Sequence, residues 1–139
     1  MIVVDASALF AALDESESKH EQVVTALASA RQPPVLSPFV LAELDHFLVR
    51  HLGVATELAF LAEVGRGSYE LAAFDAEAVS HAHDVIDRYR DLRIGIADAS
   101  IVVLAERYAT DRVLTLDERH FRALRTLDGR PFTLLPADS

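Results

Sequence analysis

Two apolar runs in this chain each stop at an aspartate. Ile2-Val3-Val4 runs into Asp5, and Val113-Leu114-Thr115-Leu116 runs into Asp117. A carboxylate at the carboxyl end of a buried strand is costly unless something pairs with it. Asp5 could cap the helix that follows or could equally be one ligand of a shared cation, and Asp117 repeats its strand-end placement. Asp98 shifts the balance. On a helix over Ala97–Tyr108 it projects from the same face as Ile101, Val102 and Ala105, where carboxylates are rare unless paired or metal-bound. The dipole of that helix would also favour it. Glu43 lies at the edge of the apolar arc Val40, Leu44, Phe47 and Leu48, a place that suits an ordinary boundary glutamate as well as a ligand. Ser7 and Thr115, two residues from Asp5 and Asp117, add hydroxyls. The chain has no cysteine, so a cation here would be held by oxygen or imidazole, and four carboxylates suit Mg2+ or Mn2+. His81 and His83 are two apart on a helix and do not face one another. His120 stands near Asp117 and could touch substrate, although surface and capping roles are commoner.

These acids need elements that bring them to one edge. Short strands are expected at Ile2–Val4, 35–37, Tyr69–Ala72, Arg112–Leu116 and 132–135. Helices are expected over Ala6–Leu13, His20–Ala30 (Val23, Val24 and Leu27 inward), Pro38–His51, Thr56–Val64, Asp75–Tyr89 (Val79, Ala82, Ile86 and Tyr89 inward), Ala97–Tyr108 and 120–124. Pro38 suits a first helical position and Gly53 a stop. Asp91 to Gly95 reads as a loop. Strands alternating with helices imply a parallel sheet covered on both faces, with ligands at the carboxyl ends of the strands.

The 139 residues, 51% of them hydrophobic, are enough for one domain with a genuine core. No apolar run approaches the roughly 18 residues of a membrane span, and no targeting segment is apparent, so a cytoplasmic protein without membrane contact is expected. The net charge of −9, from 22 acidic and 13 basic side chains, argues against nucleic-acid binding by overall field. It leaves room for local basic clusters. Lys19 is the only lysine, and arginine is the side chain that can fork onto two phosphate oxygens.

Four segments carry a resemblance. Ile-Val-Val-Asp-Ala-Ser-Ala at 2–8, Glu43 in Leu-Ala-Glu-Leu, Ile-Ala-Asp-Ala-Ser at 96–100 and Leu-Thr-Leu-Asp-Glu-Arg-His-Phe at 114–121 are together similar to the PIN domain. Length and motif order most resemble the VapC-type toxin ribonucleases of bacterial toxin–antitoxin pairs. The resemblance implies a single PIN domain over 1–139, a three-layer α/β/α fold with a central, mostly parallel sheet of four to five strands. It makes Asp5, Glu43, Asp98 and Asp117 a metal-binding, catalytic quartet for Mg2+ or Mn2+, with Ser7 and Thr115 at its flanking polar positions. It implies endonucleolytic cleavage of RNA, tRNA or rRNA as targets that stop translation, and products with 5′-phosphate and 3′-hydroxyl ends. A cognate antitoxin and a homodimer are the expected partners, and Thr56–Val64 falls in the region the family uses for both.

Arg93 precedes Asp98, and Arg119, Arg122 and Arg125 follow Asp117, the last three spaced as a rough helical stripe. They either guide RNA phosphates to the acids or are solvated surface residues. Two other strand-end-aspartate enzymes fit less well. A haloacid-dehalogenase phosphatase carries a second aspartate where this chain has Ser7, and a receiver domain needs a lysine near its last strand. A housekeeping PIN nuclease and a non-catalytic RNA-binding PIN module remain as alternatives to a toxin.

Overall fold

Val3 and Val4 are fully buried although neighbouring strand residues face opposite ways, so both faces of the sheet they belong to are covered. The computed structural model describes residues 1–139. In chain order its elements are β1 (Val3–Val4), α1 (Ala6–Leu13), α2 (His20–Ala28), β2 (Val35–Leu36), α3 (Pro38–His51), α4 (Val54–Gly65), β3 (Glu70–Leu71), α5 (Ala76–Arg88), α6 (Ile96–Arg107), β4 (Arg112–Leu114), α7 (Glu118–Ala123) and β5 (Thr133–Leu135). All four strand pairings are parallel, in the order β3-β2-β1-β4-β5. Successive strands add to one side of β1 up to β3, and then to the other side. Beyond the carboxyl ends of β1 and β4 the connections diverge, which leaves a crevice at that edge.

The helix α6 forms the centre of the fold. Seven consecutive residues, Ala99 through Ala105, are buried, so it is covered on all sides, with α5 and α3 packed against it. On α3 the buried stripe is Val40, Leu44 and Leu48. Phe47, expected inward, is 40% exposed, because the stripe at intervals of four residues leaves it on the flank. Val24 and Val79 are likewise exposed rather than inward, since Val23 and Ala26, and Ala78, Ala82 and Val85, supply the buried faces. A 3-10 turn at Arg90–Leu92 occupies part of the expected loop. The strand expected to reach Leu116 ends at Leu114, although the Thr115 N–H still donates to the Leu135 carbonyl at 3.0 Å. Gly53, at φ +90°, turns the chain sharply between α3 and α4, a conformation that favours glycine.

One buried polar contact fixes α3 relative to α6. The Ser37 and Ser100 hydroxyls, both fully buried, lie 2.7 Å apart. Ser100 donates its proton to the Ala97 carbonyl, so Ser37 donates to Ser100 while its oxygen caps α3 by accepting from the Phe39 N–H. The Ser100→Ala substitution strands the Ser37 proton in the core. It is expected to lower the unfolding free energy by roughly 1–3 kcal/mol, read as an earlier urea midpoint at unchanged m-value.

Candidate active site

Asp5 leaves β1 still tied to the sheet, its N–H donating to the Leu114 carbonyl at 2.9 Å. It occupies the N-cap position of α1, yet its side chain caps nothing. Instead Oδ2 accepts from the Ser7 hydroxyl at 2.8 Å and from the Thr115 hydroxyl at 2.7 Å. Those hydroxyls are in turn acceptors: Ser7 Oγ takes the Leu116 N–H at 3.0 Å, and Thr115 Oγ1 the Asp117 N–H at 2.9 Å. The two side chains therefore hold the first acid and lock the 115–117 turn against β1.

That turn positions the next group. Asp117 caps α7 through Oδ1, which accepts from the His120 N–H at 3.1 Å. Its Oδ2 lies 2.9 Å from His120 Nδ1, and Asp98 Oδ2 lies 3.3 Å from the same nitrogen. Nδ1 is out of reach of solvent, and neither approach has hydrogen-bond alignment. One ligand atom from each of Asp98, Asp117 and His120 falls within 4.8 Å of the others, a spacing that a single cation can bridge. Asp98 reaches the site because it stands in the first turn of α6, where the buried helix carries it inward to 17% side-chain exposure.

The electrostatics link the four acids. Burial, then the charge of Asp5, push the Asp98 carboxyl up to about 6; the His120 ring opposes the rise, while Asp117 and Glu43 add to it. Burial pushes Asp5 up against the lowering effect of its Thr115 and Ser7 hydrogen bonds. Glu43, exposed on α3, is raised by partial desolvation and then by the charges of Asp5 and Asp117. Like charges gathered in a crevice hold protons unless a cation replaces them. The donor set fits a hard divalent ion: carboxylate oxygens with one imidazole nitrogen left without a partner.

His120 was visible in the sequence only as a neighbour of Asp117. The signal that places it here is its spacing, three residues beyond a helix-capping aspartate, which puts its ring over that carboxylate. The arginines divide differently. Arg93 and Arg119 are exposed. Arg122 is forked onto Asp138 at 2.7 and 2.8 Å and bonded to Glu118, and the pair holds the Asp138 carboxyl down to about 2. Arg125 lies past the end of α7 and donates to the Arg122 and Leu124 carbonyls. The three do not form a stripe on one helix, because α7 stops at Ala123.

The sequence matches the PIN-domain family over residues 2–127. The chain is 45% identical over 135 residues to Ribonuclease VapC26 of Mycobacterium tuberculosis, covering 97% of this chain and 100% of that protein. Its fold is similar to that of M. tuberculosis VapC20, a sarcin-ricin loop cleaving toxin, at a TM-score of 0.78 with 20% identity, over 84% of this chain and 90% of that one. It is also similar to a Klebsiella pneumoniae toxin–antitoxin complex chain (TM-score 0.69, 12% identity, 89% and 92% covered). VapBC2 from Rickettsia felis, solved with a promoter DNA fragment, gives a TM-score of 0.66 at 19% identity, with 91% and 96% covered.

The sign of the pH effect follows from Asp98. Its folded proton affinity (about 6) exceeds its unfolded one (3.8), so the folded state holds the extra proton in between. Stability from this group is full below pH 4 and is lost as pH rises through 6. The metal-free protein is therefore expected to melt at higher temperature as pH falls from 7 to 5, by the equivalent of about 1 kcal/mol, and Asp98→Asn should flatten that slope.

Proposed function

Because this chain belongs to the PIN-domain family, we propose that it is a divalent-metal-dependent endoribonuclease, acting as the toxin of a toxin–antitoxin pair. The observation that carries the reading is the convergence of Asp98, Asp117 and His120, beside the buried Asp5, at the crevice of the parallel sheet. Asp5, Glu43, Asp98 and Asp117 would hold Mg2+ or Mn2+. When bound, the cation supplies Lewis-acid activation of the phosphodiester and charge to offset the leaving 3′-oxygen.

The remaining work falls to residues of this chain. Ser7 and Thr115 keep Asp5 in one orientation, so the carboxylate is in place before substrate arrives. The cap on α7 does the same for Asp117. Arg93 and Arg119, exposed near the ends of the elements that carry Asp98 and Asp117, are the free cations suited to RNA phosphates. With Arg122 committed to Asp138, the phosphate-guiding role narrows to these two.

The toxin role is supported by relatives named as a VapC ribonuclease, as a cleaving toxin and as toxin–antitoxin complexes. Cutting tRNA or rRNA would stop translation, which makes an inhibitor necessary. Val54, Leu58 and Leu61 on α4 are exposed large apolar residues, and this helix is the surface we assign to the antitoxin or to a homodimer partner. The R. felis relative, crystallised as VapBC2, is the precedent for such a complex.

Purified protein is expected to cleave structured RNA with Mg2+ or Mn2+ and to stop with chelator. Asp5→Asn and Asp98→Asn should each reduce the rate on the order of 100-fold or more, while Asp98→Asn melts higher than the parent without metal. Full cleavage by these variants defeats the assignment. The double variant Arg93→Ala/Arg119→Ala is expected to weaken RNA affinity and flatten its salt dependence, with kcat near that of the parent. An unchanged salt slope would remove both arginines from the RNA path.

A further inference from the structure

Two rows of side chains lead away from the acids. On α1, Ser7, which donates to Asp5, is followed one turn later by Phe10. On α3, Glu43 is followed at successive intervals of four residues by Phe47 and His51. The helices α1 and α3 pack on one another, and Ala6, Ser7, Phe10, Glu17, Phe47 and His51 line a cleft of about 310 Å³ between the rows. The Phe47 and His51 rings are inclined by only 33° with centroids 6.4 Å apart. Phe10 stands across both, at 78° to Phe47 and 85° to His51. Phe47 is a large aromatic residue left 40% exposed on a helix with a sufficient buried stripe of its own.

From this geometry we propose that the cleft is a nucleobase subsite, taking one unpaired base of the RNA next to the scissile phosphate. The proposal rests on the ribonuclease reading above and adds where the strand lies. The occupant follows from the walls. They are aromatic rather than aliphatic, so they offer flat π-faces with a polar rim, which suits a splayed-out base better than a peptide side chain. Glu17 and His51 on the rim supply polar partners for a base edge. The position follows from Ser7, which belongs both to the cleft and to the hydrogen-bond set of Asp5, so a base in the cleft is attached to the phosphate at the acids. Aromatic stacking tolerates any base, while a carboxylate on the rim accepts only from donors. A base edge that presents donors, an exocyclic amine or a ring N–H, is therefore favoured over one that presents only acceptors.

The test pairs protein and substrate changes on one cleavable oligoribonucleotide. The parent protein should lose efficiency, mainly through KM, when the nucleotide beside the cut is abasic. Phe47→Ala is expected to raise KM roughly 10-fold on the intact RNA and to lose nothing further on the abasic one, with Phe47→Tyr restoring the parent value. Phe10→Leu is the second variant, and matched urea midpoints establish that both fold. A parent protein that cleaves no RNA fails at the ribonuclease reading, not at the subsite. A parent that cleaves while Phe47→Ala keeps its KM and base preference overturns the subsite. Loss confined to self-association or to antitoxin binding, with RNA kinetics unchanged, also overturns it and gives the cleft to a protein partner.

Discussion

The fold is organised around an electrostatic conflict that it holds in place. Asp5, Asp98, Asp117 and Glu43 come from four separate segments, yet the charges of Asp5 and Asp117 raise the carboxyls of both Asp98 and Glu43. In water such groups would move apart. Here the surrounding core prevents that: β1 and β4 are buried on both faces, and α6 is encased along seven residues. A rigid apolar frame is therefore needed for the acids to stay close. A divalent cation held among them would relieve that repulsion, and metal affinity would then be coupled to the stability of the frame.

Short polar contacts turn that frame into a defined geometry. Asp5 Oδ2 receives two hydroxyl protons, and each hydroxyl receives a backbone N–H from the turn that bears Asp117. The result is a closed set of donors and acceptors joining β1 to the end of β4, with none of the hydroxyls left over. Ser37 and Ser100 do a similar job between α3 and α6, and so between Glu43 and Asp98. Neither set makes the site by itself. Together they limit how far any acid can swing, and limited motion is what lets a carboxylate bind a cation without first losing conformational freedom.

Much of this was legible from residue types. The parallel sheet followed from five short apolar runs alternating with helices, and the inward position of Asp98 from its phase with Ile101, Val102 and Ala105. What was not legible depended on where elements stop. The run ending at Leu116 leaves the regular strand at Leu114, and just beyond it the Thr115 hydroxyl donates to Asp5 while its oxygen receives the Asp117 N–H. The helix carrying Arg119 ends at Ala123, so Arg125 falls off the expected stripe, and Arg122 is taken by Asp138, 16 residues away in sequence. By sequence, His120 reads as a surface or capping residue that could touch substrate, and Phe47 as part of the inward arc of its helix. Their actual settings depend on a cap and on a neighbouring helix, neither of which periodicity encodes.

The helix α3 shows why burial pattern alone understates function. Its core-facing stripe is narrow, Val40, Leu44 and Leu48, which leaves the adjacent row available. That row begins with Glu43 at the acids and continues with Phe47 and His51 beside Phe10. A wider buried stripe would have drawn Phe47 inward and closed the cleft. A polar residue in its place would have given α3 a more soluble surface at no loss of core packing. An exposed phenylalanine in line with Glu43, one helical turn apart, is therefore better explained by what the row faces than by what the helix packs against. The same constraint that keeps Glu43 near Asp98 also sets the distance from the reacting phosphate to the aromatic wall, so cleavage chemistry and base recognition share one rigid element.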